Sequence, residues 1–337
     1  MKRRRFSYPL VNAHTHAAMI AFRGLAEDLP LSDWLEKQIW PMEKEKLSPE
    51  FVYENTKKAI EEMKQNGIRV FAGMYFFEEE VARAAKELKM RAVIGEGLLD
   101  FTIPSYENFD RGLEITKRLL DKYKSDDLIS VSVALHSIYT VSEKNLVKAK
   151  NLARKYDAVF HIHLAETKKE FDDCQEKNKL TPVEYANKLG LLDENTLAIH
   201  CVWLEDKDIE ILAEAEVNVV HCPLSNLKLG SGVAPIKKLL NAGINICLGT
   251  DGPASSNRLD IWEAGKFAAL LQKGVNRDPT LLPAKEVVKM MTVNGLKALK
   301  IQEFGGGTIS GIEARIDAEE NFNYLYELQA RDLKFKS

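Results

Sequence analysis

The seven histidines are the residues of this chain with the clearest chemical meaning. All of them stand inside, or at the end of, short apolar runs typical of β-strands: His14, His16, His136, His161, His163, His200 and His221. A single buried histidine is usually a core residue that hydrogen-bonds its neighbours. Seven in one set of strands would be an unusual way to fill a core, so we expect several of them to bind a metal ion.

Two histidine pairs have the spacing of shared ligands. His14 and His16, like His161 and His163, stand two residues apart and therefore point to one face of a strand. His163 lies nearer the carboxyl end of its strand and is the better ligand, which leaves His161 one layer deeper with a structural role. Asp251 ends a buried apolar run, where a carboxylate needs a partner such as a metal. Three imidazoles and one carboxylate, with a position left for water, are typical of a catalytic mononuclear site.

Two residues beside these predicted ligands suit proton transfer. Glu166 follows His163 by three residues, where a carboxylate can move protons between a bound water and a substrate nitrogen. The alternative is that Glu166 caps the next helix, for which Thr167 is the better candidate. His200 ends the sixth strand and either binds the metal or orients the water. We expect the second role because four ligands are already assigned.

Hydrophobic periodicity indicates how the chain brings these side chains together. Near-continuous apolar runs, as in parallel strands covered on both faces, alternate with segments of helical spacing. The eight predicted strands are Leu10–His16, Ile68–Tyr75, Arg91–Leu99, Ile129–Ser137, Ala158–Glu166, Thr196–Leu204, Val217–Cys222 and Ile244–Asp251. Eight strands that alternate with helices predict an α/β fold, a (β/α)8 TIM barrel, in which the carboxyl ends of the strands meet at one catalytic face.

Predicted helices fill most of the connections. One begins at Ser48-Pro49 and ends at Gly67. The others are Glu78–Lys89, Tyr106–Tyr123, Ser142–Tyr156, Asp206–Glu214, Pro235–Ala242, Leu259–Leu271 and Ala284–Leu299. An extra helical piece, Leu31–Lys44, is expected to arch over the mouth of the barrel. The fourth strand contains no lysine, so the bridging modified lysine of binuclear barrel hydrolases is absent and one metal is expected.

The charge composition of the chain excludes two classes of binding partner. The 337 residues include 47 Lys and Arg against 50 Asp and Glu, a net charge of −3, which leaves no surplus to hold a nucleic-acid polymer or an anionic membrane. The basic segment Met1–Phe6 is not followed by the apolar core of a signal peptide, so a cytoplasmic location is expected. The four cysteines lack CxxC spacing and are expected to be buried free thiols. The glycine run at 305–307 divides a barrel, residues 1–304, from a short tail, residues 305–337.

The order of the predicted site residues across eight strands resembles the amidohydrolase superfamily. Several sequence motifs are similar to those of the 5-methylthioadenosine/S-adenosylhomocysteine deaminases and their chlorohydrolase relatives. These motifs are Arg23–Leu29, Trp34-Leu35, His136-Ser137 with Tyr139, Ser225–Gly230 with Ala234-Pro235, and Gly249–Gly252 with Ser255–Asn257. The resemblance extends from about residue 10 to residue 300.

The resemblance implies a hydrolytic deaminase of an adenine nucleoside: adenosine, 5-deoxyadenosine, methylthioadenosine or S-adenosylhomocysteine. In such enzymes the four predicted ligands hold one divalent ion, usually zinc and sometimes iron. Metal-bound hydroxide attacks the ring carbon that bears the amino group, and Glu166 passes a proton to the neighbouring ring nitrogen. Asp251 and His200 manage the proton of the water, and ammonia leaves.

The resemblance also implies substrate contacts. His136 contacts the purine, while Trp34 and Glu43 line the nucleoside side and bind ribose hydroxyls. Two of these residues have simpler interpretations: Trp34 packs within an amphipathic helix, and Glu43 belongs to a charged, solvated run, Glu43–Lys46. His221 either touches the substrate or packs, and its role stays open.

The chain departs from the family pattern in two places. Family members often carry an arginine that reaches the far end of the substrate, and Glu96 stands at that place. A carboxylate there, with Glu43 near the mouth, would disfavour an anionic substrate and favour a neutral or cationic small molecule. The usual flanking β-sandwich is expected to be missing or reduced to a hairpin or helix in the tail. The barrel surface that it would cover is then packed by the tail or by another subunit.

Two alternatives to the nucleoside deaminase stay open. The same chemistry can act on another amino- or chloro-substituted heterocycle, such as guanine or an s-triazine. A different class is a catalytically silent barrel that serves as a binding or scaffold protein, which the complete set of predicted site residues opposes. A homo-oligomer is compatible with each of these functions.

Overall fold

The computed structural model describes residues 4–6, 8–319, 322, 324–327 and 333–335. Short strands and helices alternate along the chain, with the strands inside. The strands are β1 (Arg4–Phe6), β2 (Leu10–Thr15), β3 (Ile68–Gly73), β4 (Arg91–Ile94), β5 (Gly97–Leu98), β6 (Ile129–Val131), β7 (Val133–Ser137), β8 (Phe160–Leu164), β9 (Thr196–His200), β10 (Asn218–His221), β11 (Ile246–Leu248), β12 (Glu303–Phe304), β13 (Gly307–Thr308) and β14 (Leu333–Phe335).

The core strands form two parallel arcs. One arc has the order β2-β3-β4-β6 and the other β11-β10-β9-β8-β7-β5. The predicted third strand is split into β4 and β5, and the predicted fourth into β6 and β7, so these two strand positions connect the arcs. On the opposite side, the Asp251 N–H donates to the carbonyl of His14 at 3.1 Å and joins the eighth strand position to the first. The predicted α/β class and the eight strand positions of the barrel are therefore confirmed.

Helices cover the outside of the strands and carry the connections. They are α1 (Leu31–Trp34), α2 (Trp40–Lys46), α3 (Pro49–Gln65), α4 (Glu78–Glu87), α5 (Phe109–Lys122), α6 (Glu143–Tyr156), α7 (Lys168–Asn178), α8 (Pro182–Lys188), α9 (Asp206–Glu214), α10 (Pro223–Lys228), α11 (Ile236–Asn241), α12 (Pro253–Ser256), α13 (Ile261–Asn276), α14 (Ala284–Met290), α15 (Val293–Ala298), α16 (Ile309–Ala318) and α17 (Tyr324–Glu327). A 3-10 helix spans Ala17–Phe22 and a π-helical turn spans Leu35–Ile39.

Local sequence signals explain where several helices begin. Ser48 accepts a hydrogen bond from the Phe51 N–H at 3.2 Å at the start of α3, as the predicted cap requires. At α8, Thr181 and Glu184 form a reciprocal capping box. The predicted helices do not include α7 or α8, because the segment is highly charged and has no clear apolar stripe. Two local signals are nevertheless present: Thr167, the expected cap of the next helix, caps α7, and the Thr-Pro-x-Glu motif starts α8.

The extra helical piece of the first connection is confirmed. It runs through α1, the π-helical turn and α2, and it buries Trp34, Ile39 and Glu43, which are 5%, 1% and 4% exposed. A π-helical turn admits an extra residue into the helix and rotates the side chains that follow. The segment therefore covers the carboxyl face of the strands with both apolar and acidic groups.

The described part of the tail packs on the barrel. β12 and β13 pair as an antiparallel hairpin, and α16 buries Ile309, Ile312 and Ile316 where it contacts α14 and α15. Tyr8 donates a hydrogen bond to Glu319 at 2.7 Å, and β1 pairs in parallel with β14. The hairpin crosses the predicted boundary, and the division at residue 304 stays a prediction. The other tail residues, 320, 321, 323, 328–332, 336 and 337, lie outside the described part.

The state of the cysteines agrees with the expectation from the sequence. All four cysteines are buried free thiols, as predicted: Cys174, Cys201, Cys222 and Cys247. Among the helices of the described residues, none is long and apolar enough to span a membrane.

The close packing between the third and fourth strands gives a testable prediction. A Cβ atom on Gly95 would lie 2.5 Å from the Ala134 Cβ and 2.5 Å from the Ser132 hydroxyl. We expect Gly95→Ala to lower the free energy of unfolding by about 2 kcal/mol, because a packed core must shift to admit the methyl group. Gly274 in α13 has no atom within 4 Å of the same position and is the matched control. Gly274→Ala should raise the free energy of unfolding by up to about 1 kcal/mol. Urea titrations measure both, and equal midpoints for the two variants would contradict this packing.

Candidate active site

Three imidazoles and one carboxylate meet at the carboxyl ends of the strands. The Nε2 atom of His14 lies 3.2 Å from Nε2 of His163 and 3.3 Å from Oδ1 of Asp251. The Nε2 atom of His16 lies 3.2 Å from the same carboxylate oxygen. The ligand atoms of the three histidines all lie within 4.8 Å of one another. The structure therefore brings together the four residues that we predicted as ligands.

Backbone contacts orient two of these imidazoles. The Nδ1 atom of His163 lies 2.7 Å from the carbonyl oxygen of His136, and Nδ1 of His16 contacts the carbonyl oxygen of Met74. A carbonyl oxygen only accepts hydrogen bonds, so each Nδ1 carries the proton. The Nε2 atom then presents its lone pair to the centre of the cluster.

The third imidazole is oriented by another histidine. Nδ1 of His14 lies 2.9 Å from Nε2 of His161, and both rings are fully buried. Burial lowers the pKa of His14 to about 4 and holds that of His161 well below its usual range, so both rings are neutral. His161 therefore lies behind the cluster and supports a ligand, in agreement with the structural role predicted for it.

The cluster fits a divalent metal ion. Burial holds the pKa of His163 well below its usual range, whereas the pKa of His16 is raised because Asp251 outweighs the effect of burial. His14 and His163 therefore present neutral imidazoles, and His16 faces the carboxylate. Although burial opposes ionisation, His14 and His16 hold the pKa of Asp251 well below its usual range. Nitrogen donors with one carboxylate suit zinc or another first-row metal better than the oxygen-bound ions magnesium and calcium.

Two serines, which the sequence did not single out as site residues, hold the carboxylate of Asp251. The hydroxyls of Ser225 and Ser255 donate to its Oδ2 atom at 2.5 and 3.1 Å, which leaves Oδ1 directed towards the histidines. Asp251 has a φ angle of 61°, in the left-handed region that non-glycine residues rarely adopt. Both serines lie in sequence motifs that resemble the family, but the contact of Ser225 with Asp251 needs the segments after β10 and β11 to meet.

Glu166 and His200 lie beside the cluster. The Oε2 atom of Glu166 is 3.6 Å from Nε2 of His200, and the Ser231 hydroxyl donates to Oε1 of Glu166 at 3.2 Å. His200 Nδ1 lies 2.7 Å from the side-chain oxygen of Asn226, which fixes the ring. Glu166 and His200 are 5% and 1% exposed, and burial raises the pKa of Glu166. The carboxyl group is thus able to hold a proton at a higher pH than an exposed glutamate.

A pocket opens above these groups, and the three predicted substrate residues line it: His136, Trp34 and Glu43. Glu43 accepts a hydrogen bond from the Tyr75 hydroxyl at 2.6 Å, and burial raises its pKa to about 7. The interpretation of Glu43 as part of a solvated face is therefore wrong. The Trp34 indole N–H donates to the carbonyl of Ala26 at 3.2 Å, so Trp34 both packs and gives the pocket an apolar wall.

Comparison with known proteins identifies the family. Residues 10–306 match the amidohydrolase family. The chain belongs to this family. It is 46% identical over 304 residues to a 5-methylthioadenosine/S-adenosylhomocysteine deaminase of Thermodesulfovibrio yellowstonii, covering 90% of this amidohydrolase and 69% of the relative. It is 44% identical over 292 residues to a 5'-deoxyadenosine deaminase of Methanothrix thermoacetophila, covering 87% and 69%.

A solved structure has the same fold as this amidohydrolase. An adenosine deaminase from Xanthomonas campestris with bound zinc superposes with a TM-score of 0.90 at 35% identity, covering 96% of this chain and 76% of the other. Family and relatives together show that this amidohydrolase is a metal-dependent hydrolytic enzyme. They exclude the alternative of a catalytically silent scaffold.

The prediction that Glu96 of this amidohydrolase disfavours an anionic substrate is wrong. Glu96 does not enter the substrate pocket. It is 1% exposed and accepts hydrogen bonds from the N–H groups of Phe77 and Glu78 and from the Ser105 hydroxyl. The ladder is interrupted between β4 and β5, and Glu96 stands at this break with its side chain turned towards the start of α4. Its charge therefore gives no reason to exclude an anionic substrate.

His221 keeps an open role in the amidohydrolase. It is 1% exposed, and burial lowers its pKa to about 3. Among the described residues, neither of its ring nitrogens has a hydrogen-bond partner, and the residue is not part of the lining of the substrate pocket. Its packing interpretation agrees with this position.

Proposed function

We propose that this amidohydrolase deaminates an adenine nucleoside with the help of one divalent ion, zinc in the first instance. The observation that carries the proposal is the combination of a converging donor cluster with Glu166, His136 and Glu43 in one pocket. Relatives at 44–46% identity are named for adenine nucleosides, and a relative of similar fold binds zinc. The candidate substrates are adenosine, 5-deoxyadenosine, methylthioadenosine and S-adenosylhomocysteine.

His14, His16, His163 and Asp251 would hold the ion. When bound, a divalent ion of this kind lowers the pKa of water to about 7 and so supplies a nucleophile at neutral pH. Asp251 keeps one oxygen on the serine hydroxyls, and its ionised state lets it accept the proton of the attacking water. The His200 ring binds Asn226 through Nδ1 and faces Glu166 with Nε2. In this position His200 would orient the same water.

Glu166 would transfer the proton that the purine ring needs. The carboxyl group is buried, and its raised pKa favours the protonated form that donates to a ring nitrogen. Protonation of that nitrogen makes the neighbouring carbon a better electrophile, and ammonia then leaves from the same carbon. His136 would contact the purine, since its Nδ1 lies 3.0 Å from the Thr140 hydroxyl and its Nε2 is left for a ligand.

A substrate panel tests the proposal. The purified, zinc-supplemented enzyme is incubated with the four nucleosides, adenine, guanine and a chloro-s-triazine. Ammonia release and the absorbance change from adenine to hypoxanthine are recorded for the amino compounds, and chloride release for the triazine. We expect turnover of at least one adenine nucleoside and none of the free bases. Activity confined to free bases or the triazine would refute the nucleoside proposal and leave the hydrolytic chemistry intact.

Glu43 is proposed to bind the ribose hydroxyls. A hydrogen bond to a charged acceptor contributes about 1 kcal/mol more than one to a neutral acceptor, so Glu43→Gln should lower kcat/KM for adenosine about fivefold. The same variant should leave kcat/KM for 2',3'-dideoxyadenosine unchanged, because that substrate lacks the 2'- and 3'-hydroxyls that Glu43 is proposed to bind. Glu45→Gln, an exposed neighbour on α2, is the matched control. Equal losses on both substrates would contradict a ribose contact.

A further inference from the structure

The carboxylate of Glu170 binds the backbone of the strand end that carries Glu166. Glu170 is 6% exposed. Its Oε1 atom accepts the N–H of Ala165 at 3.0 Å, and its Oε2 atom accepts the N–H of Glu166 at 2.7 Å. Burial raises the pKa of Glu170 to about 7, and the two N–H groups oppose this shift because they bind the ionised carboxylate more strongly than the neutral acid. Two such hydrogen bonds on adjacent peptide groups fix the backbone in one orientation.

The backbone held in this way has an unfavourable conformation. Ala165 has a φ angle of 53°, in the left-handed region, which costs a residue with a Cβ atom about 1–2 kcal/mol. On the opposite side, the Ala165 carbonyl accepts the N–H groups of Val202 and Trp203, both at 2.9 Å. The turn is thus clamped by Glu170 from one side and by the loop after β9 from the other.

The contacts of Glu170 differ from ordinary helix capping. Thr167 caps α7, and its side chain accepts the Glu170 N–H at 3.1 Å. In a capping box, the glutamate at this position returns to the N–H of the cap residue itself, as Glu184 does with Thr181 at 3.0 Å in α8. Glu170 instead reaches the two N–H groups before the cap. The start of the helix does not require these bonds, so they serve the strand end.

We propose that Glu170 is a positioning residue for deamination, which holds Glu166 where its carboxyl group faces His200 and the substrate pocket. Glu170 touches neither the substrate nor the ligand cluster; it acts through the peptide groups of Ala165 and Glu166. The inference rests on the proposed function, because it concerns the proton transfer assigned to Glu166.

Glu170→Gln tests this role with a small change of shape. The amide oxygen can accept one of the two N–H groups, but the amide NH2 then faces the other. We expect kcat for the nucleoside to fall about 10- to 100-fold with unchanged KM and metal content. The matched control is Glu184→Gln, the same change at the same position of α8, which should leave both kcat and KM unchanged. An unchanged kcat in Glu170→Gln would overturn the proposal.

A double variant separates positioning from general damage. If Glu170 acts through Glu166, adding Glu170→Gln to Glu166→Gln should cause no further loss of the residual single-turnover rate. Multiplied losses would overturn the proposal. Should Glu170→Gln alone fail to fold, it is measured together with Ala165→Gly, since glycine adopts the left-handed conformation without a Cβ penalty. A wild-type enzyme that deaminates no adenine nucleoside would instead refute the proposed function.

Discussion

Glu166→Gln is expected to lower kcat for the nucleoside about 10²- to 10⁴-fold, the range found for general acid–base groups. Glutamine fills the same space and can keep the contact with Ser231, but it has no proton to transfer at neutral pH. The metal content and KM should stay those of the wild type, because Glu166 is not a predicted ligand and the pocket keeps its shape. Steady-state kinetics and elemental analysis of the same preparation provide both measurements.

The control for this variant is Glu176→Gln, which makes the same change at an exposed position of α7. It should behave as the wild type. If Glu166→Gln retained full turnover, another group would have to carry the proton, and the assignment of Glu166 would be wrong. If the variant lost its metal together with its activity, Glu166 would be part of the ligand set.

His163→Gln is expected to cause the second large loss, this time of the metal itself. His163 lies 3.2 Å from Nε2 of His14 and has its other nitrogen bound to a backbone carbonyl, so its removal opens one side of the cluster. Metal affinity should fall by more than the roughly 100-fold typical of a residue that only supports a ligand. The bound ion should also no longer raise the melting temperature, because stabilisation follows the ratio of ion concentration to Kd.

Two other histidines serve as comparisons for His163→Gln. His161→Gln removes a supporting contact to His14 and should weaken metal binding about 10- to 100-fold. His221→Gln changes a buried histidine outside the pocket and should leave the metal content unchanged. Elemental analysis after dialysis against a chelator, and thermal melts with and without added zinc, distinguish the three variants. A stoichiometric ion in His163→Gln would remove this residue from the ligand set.

The ligand cluster was predictable from the sequence because its geometry follows from strand periodicity. A spacing of two puts His14 and His16 on one face, and the carboxyl ends of parallel strands bring His163 and Asp251 to the same place. These rules involve only the local pattern and the barrel topology. The role of Ser225 depends instead on how the segments after β10 and β11 approach each other, and that of Glu170 on the left-handed turn at Ala165; the apolar pattern determines neither.

The side-chain direction of Glu96 was not predictable from the sequence. The resemblance puts its carboxylate at the place of a family arginine that reaches the substrate. The strand is instead interrupted between Ile94 and Gly97, and the Glu96 side chain binds backbone groups at the start of α4. A break of two residues changes the direction of a side chain, and no apolar pattern marks it.

The hydrogen bond between Asp251 and His14 joins the first and the last strand positions, and this has a consequence for biosynthesis. The two strand ends are far apart in sequence: the bonded residues Thr15 and Asp251 are separated by 236 positions. A chain made at about 5–20 residues per second exposes its first histidines at least about ten seconds before the carboxylate is available. Until Asp251 is added, the nascent chain holds the three imidazoles without their acidic partner. We therefore expect the ion to bind tightly only after the last strand has docked.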